Sequence, residues 1–192
     1  MLSEYKTTLP FLNVTDAQPE ARELLETAQK KTGFIPNMYK AMANSSGLLN
    51  TYMQGYVAFR EKSGFSPTEQ EVIFLTISQS NGCEYCMAAH SFLAEAASGV
   101  PADVTRAIRD DKQIPESKLS ALSIFTSVMV TKHGLPSKTD VEQFLKAGYQ
   151  EKAILEIIHA IAVKTISNYT NHIFHTDVDE VFSKHLWTDQ LA

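Results

Sequence analysis

The sequence predicts an all-α protein, and three observations carry that prediction. Apolar residues recur three and four apart along most of the chain, the spacing of a helix face. Glycine and proline are scarce, eight and seven in 192 residues, about 8% against a usual ~12%, and most fall between the periodic stretches. No stretch shows strict apolar–polar alternation bounded by hairpin turns.

The elements follow in order. Pro19 to Thr32 has acids early, lysines late and Gly33 just beyond, so this amphipathic helix complements its own dipole. Gly33 to Asn37 is a turn, with Pro36 placed to start the next element. Met38 to Asn44 and Leu48 to Lys62 read as two helices split near Ser45-Ser46-Gly47. Leu48, Leu49, Tyr52, Met53, Tyr56 and Phe59 form the core-facing stripe of the second. Ser66-Pro67-Thr68-Glu69 supplies a capping hydroxyl, a first-turn proline and a carboxylate three residues on, starting a helix that runs to about Ser80. Asn81-Gly82 breaks it, and a new helix begins around Cys83 and reaches Ser98. Pro101 to Asp110, Ser117 to Lys132 and Ser137 to Ala147 are three more. Glu151 to about Thr165 is the most hydrophobic helix, and a tail from Ser167 continues to Trp187.

Composition narrows the function. Hydrophobic residues are 44% and charged residues 20%, the profile of a globular chain, here read as a single domain over 1–192. A net charge of -5 argues against a nucleic-acid or anionic-membrane surface, each of which needs clustered Lys and Arg. Two cysteines cannot build a multi-disulfide framework. The first residues lack the apolar run of a secretory leader, and Ile154 to Val163 is interrupted by Glu156 and His159. A soluble, cytoplasmic protein is expected.

An internal repeat is visible. Glu71, Cys83, Cys86 and His90 have counterparts Glu156, Asn168, Asn171 and His175, each 85 residues later. Upstream, Lys62-Ser63-Gly64-Phe65 aligns with Lys146-Ala147-Gly148-Tyr149 at an offset of 84. Repeat halves of about 34–98 and 117–180 are expected. Each has a glycine-aromatic turn, a helix bearing the acid and a second helix bearing the histidine. Only the first keeps sulfur.

The chemistry is expected at Cys83-Glu84-Tyr85-Cys86, where the break yields to a helix. Unpaired N–H groups and the positive end of the helix dipole favour an anion there. A thiol of pKa near 8.5 is only ~3% thiolate at pH 7, and one near 6 is ~90%. The spacing also lets the sulfurs close into a disulfide with little backbone movement. His90, one turn after Cys86, is placed to accept the thiol proton. Glu71, on the preceding helix, is placed to orient His90, and Tyr85 to bring a phenol near the sulfur. Two alternatives stay open: the thiols as small buried hydrophobes, or zinc held by Cys83, Cys86, His90 and a further ligand. Glu156 and His159 make half of a di-iron motif with no second half. With His172 and His175 they could hold one metal, or form a buried polar network in place of the lost thiols.

At these residues the chain resembles the carboxymuconolactone decarboxylase and alkyl hydroperoxidase D (AhpD)-like superfamily, closest to its peroxidase-related branch. The pattern Glu-x11-Cys-x-x-Cys-x-x-x-His, embedded in NGCEYCMAAH, carries the resemblance. It implies an all-helical duplicated bundle with no cofactor or metal. The implied activity is thiol-dependent peroxide reduction, an antioxidant oxidoreductase chemistry, or disulfide reduction. Cys86 would attack the peroxide and Cys83 would condense with the sulfenic acid, while Glu71 and His90 relay protons. AhpD has a histidine where this chain has Tyr85, so a phenol replaces one relay member. The decarboxylase branch lacks the cysteine pair. The resemblance further implies a dithiol reductant, such as a lipoyl domain, and a homo-oligomer. The alternative is a redox-sensing or structural helical oligomer without turnover.

Overall fold

The computed structural model describes residues 2–188. Among them are nine α-helices, one closing 3-10 helix and no strand. The helices are α1 (Pro19–Thr32), α2 (Asn37–Met42), α3 (Ser46–Lys62), α4 (Pro67–Ser80), α5 (Glu84–Ala96), α6 (Ala102–Arg109), α7 (Ser117–Thr131), α8 (Lys138–Lys146) and α9 (Glu151–Phe174). The 3-10 helix is Glu180–His185. The all-helical expectation holds, and local chemistry sets most of the ends.

Ser66 and Glu69 form a reciprocal capping box at the start of α4, and Ser137 and Asp140 form another at α8. Gly33 closes α1 in the left-handed region, its N–H returned to Gln29 O. At α7 the cap is Glu116, whose carboxylate accepts from Lys118 N and Leu119 N.

One element differs from expectation. The most apolar helix does not end near Thr165 but runs unbroken to Phe174, so Glu156 and the Asn168–Asn171 segment lie on one helix rather than two. Two hydroxyls of its polar second half are satisfied along the helix: Ser167 Oγ donates to Lys164 O at 3.1 Å and Thr170 Oγ1 to Ile166 O at 2.8 Å. It stops at His175, which takes a left-handed conformation (φ 50°) and returns its N–H to Asn171 O. The first copy breaks at Asn81-Gly82 where the second continues. The two glycine-aromatic turns do meet, with the Phe65 and Tyr149 rings edge to face at 6.1 Å.

α4 is the central helix. Its nine residues from Gln70 to Ser78 are all buried, which requires neighbours on every side. α5, α6, α7 and α9 provide them. Below lies the larger core, where Phe144 stacks between Phe125 (4.3 Å) and Tyr149 (4.6 Å). A second apolar cluster, built by α1, α2, α3, the start of α5 and Phe182, contains both cysteines. Gly55 lets α3 close on α9, since a Cβ there would meet Val163 Cγ2 at 3.0 Å. Arg109 ties down the chain end, donating to His185 O at 3.0 Å and Leu186 O at 2.8 Å. No described helix is long and apolar enough to cross a membrane.

Removing the Phe144 ring from this stack creates a cavity that rigid neighbours only partly refill. Phe144→Ala is expected to cost about 3–5 kcal/mol in urea unfolding followed by circular dichroism.

Candidate active site

The α4–α5 break delivers the thiols. Cys83 is the N-cap of α5 and Cys86 lies in its first turn; both are reduced and buried. Opposite them, α9 turns one strip of polar side chains inward: Lys164, Ser167, Asn168 and Asn171, all at most 2% exposed. The 3-1-3 spacing keeps them on one face. Asn171 Nδ2 lies 3.4 Å from Cys86 Sγ and 3.8 Å from Cys83 Sγ, a donor shared between the sulfurs. Ser167 Oγ is 3.8 Å from Cys86 Sγ. Asn168 Oδ1 accepts from Asn81 Nδ2 at 2.8 Å, fixing the break against α9. The asparagines that stand in the repeat for Cys83 and Cys86 thus serve the thiols of the first half.

Glu71 and His90 come together as expected. His90 Nδ1 is 2.8 Å from Glu71 Oε2, and Arg60 of α3 grips Glu71 Oε1 in a short ion pair. Arg60 also donates to Tyr56 Oη (2.8 Å) and Gln70 Oε1 (3.1 Å). Burial opposes charge on Glu71, but His90 and Arg60 outweigh it and hold its carboxyl below the usual range. Burial, reinforced by the charge of Lys164, lowers the pKa of His90 against the pull of Glu71. His90 is therefore a neutral imidazole at pH 7, with Nδ1 committed to the carboxylate and Nε2 left to accept a proton.

The two sulfurs diverge. Burial raises the pKa of both thiols. At Cys86 the hydrogen bond from the Cys83 thiol and the charge of Lys164 overturn that, holding it well below the ordinary thiol range. Cys83, pushed up by burial and by its donation to Cys86, stays a thiol. Of the two, Cys86 is the sulfur favoured to ionise, with Cys83 as its donor. Cys86, His90 and Lys164 line one cavity of about 340 Å³, whose walls are largely aromatic: Tyr39, Tyr52, Tyr56 and Phe182 among them.

Tyr85 requires a correction. Its ring lines the same cavity, but its hydroxyl does not serve the sulfur. It donates to Asp179 Oδ2 at 2.5 Å, and Asp179 also accepts from Asn37 N at 3.2 Å. The phenol is a strut between α5, the start of α2 and the chain end. The second-half residues also divide. Glu156 and His159 lie 3.8 Å apart at partly exposed positions, and His175 bonds Ser3 O at 2.7 Å. Only Asn168 and Asn171 belong to a buried network around the thiols. Among the described residues, no three His, Cys, Asp or Glu side chains are grouped to hold a metal ion, so neither the zinc nor the mononuclear arrangement is assembled there.

Two site residues escaped the sequence reading. Arg60 shares the apolar stripe of α3, four residues after Tyr56. Lys164 is the lone lysine inside the apolar α9 run, on the face of Asn168 and Asn171; that misplaced charge was the available signal.

Residues 47–112 match the Carboxymuconolactone decarboxylase family. Among curated proteins, none matches the sequence. The fold is that of the AhpD core. It superposes on an uncharacterized peroxidase-related protein from Ralstonia eutropha JMP134 with TM-score 0.80 and 18% identity, over 94% of this chain and 96% of that one. A peroxidase-related protein from Silicibacter sp. TM1040 gives 0.77 and 21%, over 94% and 95%. The debrominase Bmp8, in complex with 2,3,4-tribromopyrrole, gives 0.76 and 18%, over 94% and 96%.

Glu71→Gln would leave Arg60 facing a neutral amide in a buried site, at a cost of about 3 kcal/mol. Because the folded-state pKa of Glu71 is depressed, its contribution is present above the ordinary glutamate value of about 4.3 and is lost as pH falls through the folded value. The gap between wild type and Glu71→Gln in urea unfolding is therefore expected to be widest near neutrality and to close in acid.

Proposed function

We propose that this chain, whose residues 47–112 match the Carboxymuconolactone decarboxylase family, is a thiol-dependent peroxidase or disulfide reductase that works through Cys86 and Cys83. The observation that carries the reading is a free cysteine pair whose Cys86 sulfur, the one favoured to ionise, lines a cavity together with a Glu71-oriented His90. In the peroxidase cycle the Cys86 thiolate attacks one peroxide oxygen, the O–O bond breaks, and the leaving alkoxide takes a proton relayed through His90 Nε2. The products are an alcohol and a Cys86 sulfenic acid. The Cys83 sulfur then attacks the sulfenic sulfur, its proton leaves with the hydroxide as water, and a disulfide forms. A dithiol of the lipoyl kind restores both thiols and becomes a disulfide itself.

The low-pKa sulfur suits both roles, as attacking thiolate and later as leaving group when the reductant strikes Cys83. The aromatic cavity favours an organic substrate over hydrogen peroxide. It also favours a second reading, which the likeness to Bmp8 supports: the same pair could remove a halogen from an aromatic ring. There, the ring–bromine bond would be replaced by ring–hydrogen, with bromide and a proton released and the two thiols oxidised to the disulfide.

With cumene hydroperoxide and dihydrolipoamide, the wild type is expected to turn over repeatedly. Cys86→Ser is expected to lose activity at least a hundredfold. Cys83→Ser should stop after one equivalent, leaving a sulfenic acid that dimedone traps. Equal peroxide consumption by wild type and Cys86→Ser would end the reading, and bromide release from 2,3,4-tribromopyrrole would favour the second. Formation of one equivalent of disulfide without cycling would favour the redox-sensing alternative. Leu155 and Ile158, exposed one turn apart on α9, support self-association. Light scattering is expected to give a multiple of 21.4 kDa.

A further inference from the structure

Lys164 is the least expected side chain in the molecule. It is completely buried, and its Nζ has no hydrogen-bond acceptor. A buried ammonium without a counter-charge costs several kcal/mol. Its surroundings leave few candidates for that charge. Glu71, on α4, is taken up by Arg60 and His90. The phenols that share its cavity, Tyr39 of α2 and Tyr52 and Tyr56 of α3, are all pushed above their ordinary pKa and stay neutral. From α5 and its N-cap, the titratable groups on this cavity or beside the sulfur, besides Cys86, are Cys83, Tyr85 and His90, none of them an anion at pH 7. The α5 carboxylates Glu84 and Glu95 do not line the cavity, and Glu95 lies beside His185. His172, further along α9, is not an anion either. Asp179 is engaged by Tyr85 and Asn37 N. Phe74 offers only the face of its ring, 5.6 Å from Nζ. What remains is the sulfur of Cys86, on the wall of the same cavity.

We propose that Lys164 is the counter-ion of the Cys86 thiolate, and that through this pairing it makes the Cys83–Cys86 disulfide a strong oxidant. The second half follows from the first. In the dithiol form the ammonium and the thiolate neutralise each other out of water. When the pair is oxidised, two electrons leave, the S–S bond forms and the anion disappears. The ammonium then stays buried with only dipoles around it. Whatever stabilises the thiolate stabilises the reduced state alone, so the equilibrium disulfide + 2 glutathione ⇌ dithiol + glutathione disulfide is drawn to the right. His90, neutral and turned toward Glu71, supplies no lasting positive charge of its own. Lys164 sets the potential and His90 moves the proton. The inference builds on Cys86 being the active thiol of the proposed chemistry, but it needs no peroxide to be tested.

Two measurements on Lys164→Met and Lys164→Arg test it. The pH profile of iodoacetamide alkylation at Cys86 is expected to move up by at least one unit in the methionine variant and to return most of the way in the arginine variant. In glutathione buffers the methionine variant's dithiol is expected to be at least tenfold less favoured, which is about 30 mV toward a more reducing couple. An unchanged alkylation profile or an unchanged glutathione equilibrium in folded Lys164→Met would overturn the proposal. A third measurement does not depend on reactivity. In a Cys86→Ser background the lysine has lost its partner, so adding Lys164→Met is expected to raise the urea midpoint. A fall there would also overturn the pairing. Absence of peroxide turnover by the wild type, with the glutathione shift between wild type and Lys164→Met intact, would sink the peroxidase reading and leave this one standing.

Discussion

The structure depends on accommodating charge inside an apolar helical bundle. α4 is surrounded by other helices, yet it carries Glu71 at its centre with no exposed surface. A lone carboxylate there would unfold the protein or stay protonated. It is kept ionised because Arg60 and His90 reach it from α3 and α5, and that demand fixes how three helices cross. α9 repeats the problem with a cation. Its polar strip would be untenable against hydrocarbon, so it sits against the start of α5, where Asn171 meets both sulfurs.

These two buried centres divide the labour at the thiols. The Glu71–Arg60 pair anchors one nitrogen of His90 and leaves the other for proton transfer. The strip on α9 approaches from the opposite side and supplies hydrogen bonds through Asn171 and positive charge through Lys164. Helix-end geometry contributes, but it does not choose between sulfurs that belong to the same first turn. The choice comes from tertiary neighbours: Cys83 donates, and Cys86 faces the lysine.

What the sequence revealed and what it hid follow the same boundary. Helix limits set by proline, glycine and capping boxes, as at Ser66 and Ser137, were legible because that chemistry is local. So were Glu71, Cys83, Cys86 and His90, whose spacing alone puts them within reach. The length of α9 was misjudged because its polar residues after Thr165 look like a helix end to any reading that assumes an apolar interior. Arg60 and Lys164 were missed for a related reason: their partners lie on other helices. Tyr85 was placed beside the sulfur because nothing local marks Asp179, 94 residues away, as the acceptor for its hydroxyl. The repeat pointed to Asn168 and Asn171, though as a second centre rather than as part of the first.

The closing segment has a consequence for the newborn chain. Phe182 completes the wall of the Cys86 cavity, and Lys164 is encoded 78 residues after the cysteine it faces. At ~5–20 residues per second a ribosome takes on the order of ten seconds to cover that distance. During this interval Cys83 and Cys86 have neither that wall nor that cation beside them, and only a few per cent of an ordinary thiol is ionised at pH 7. On the proposed pairing, the stabilised thiolate can therefore form only once α9 and Phe182 are in place.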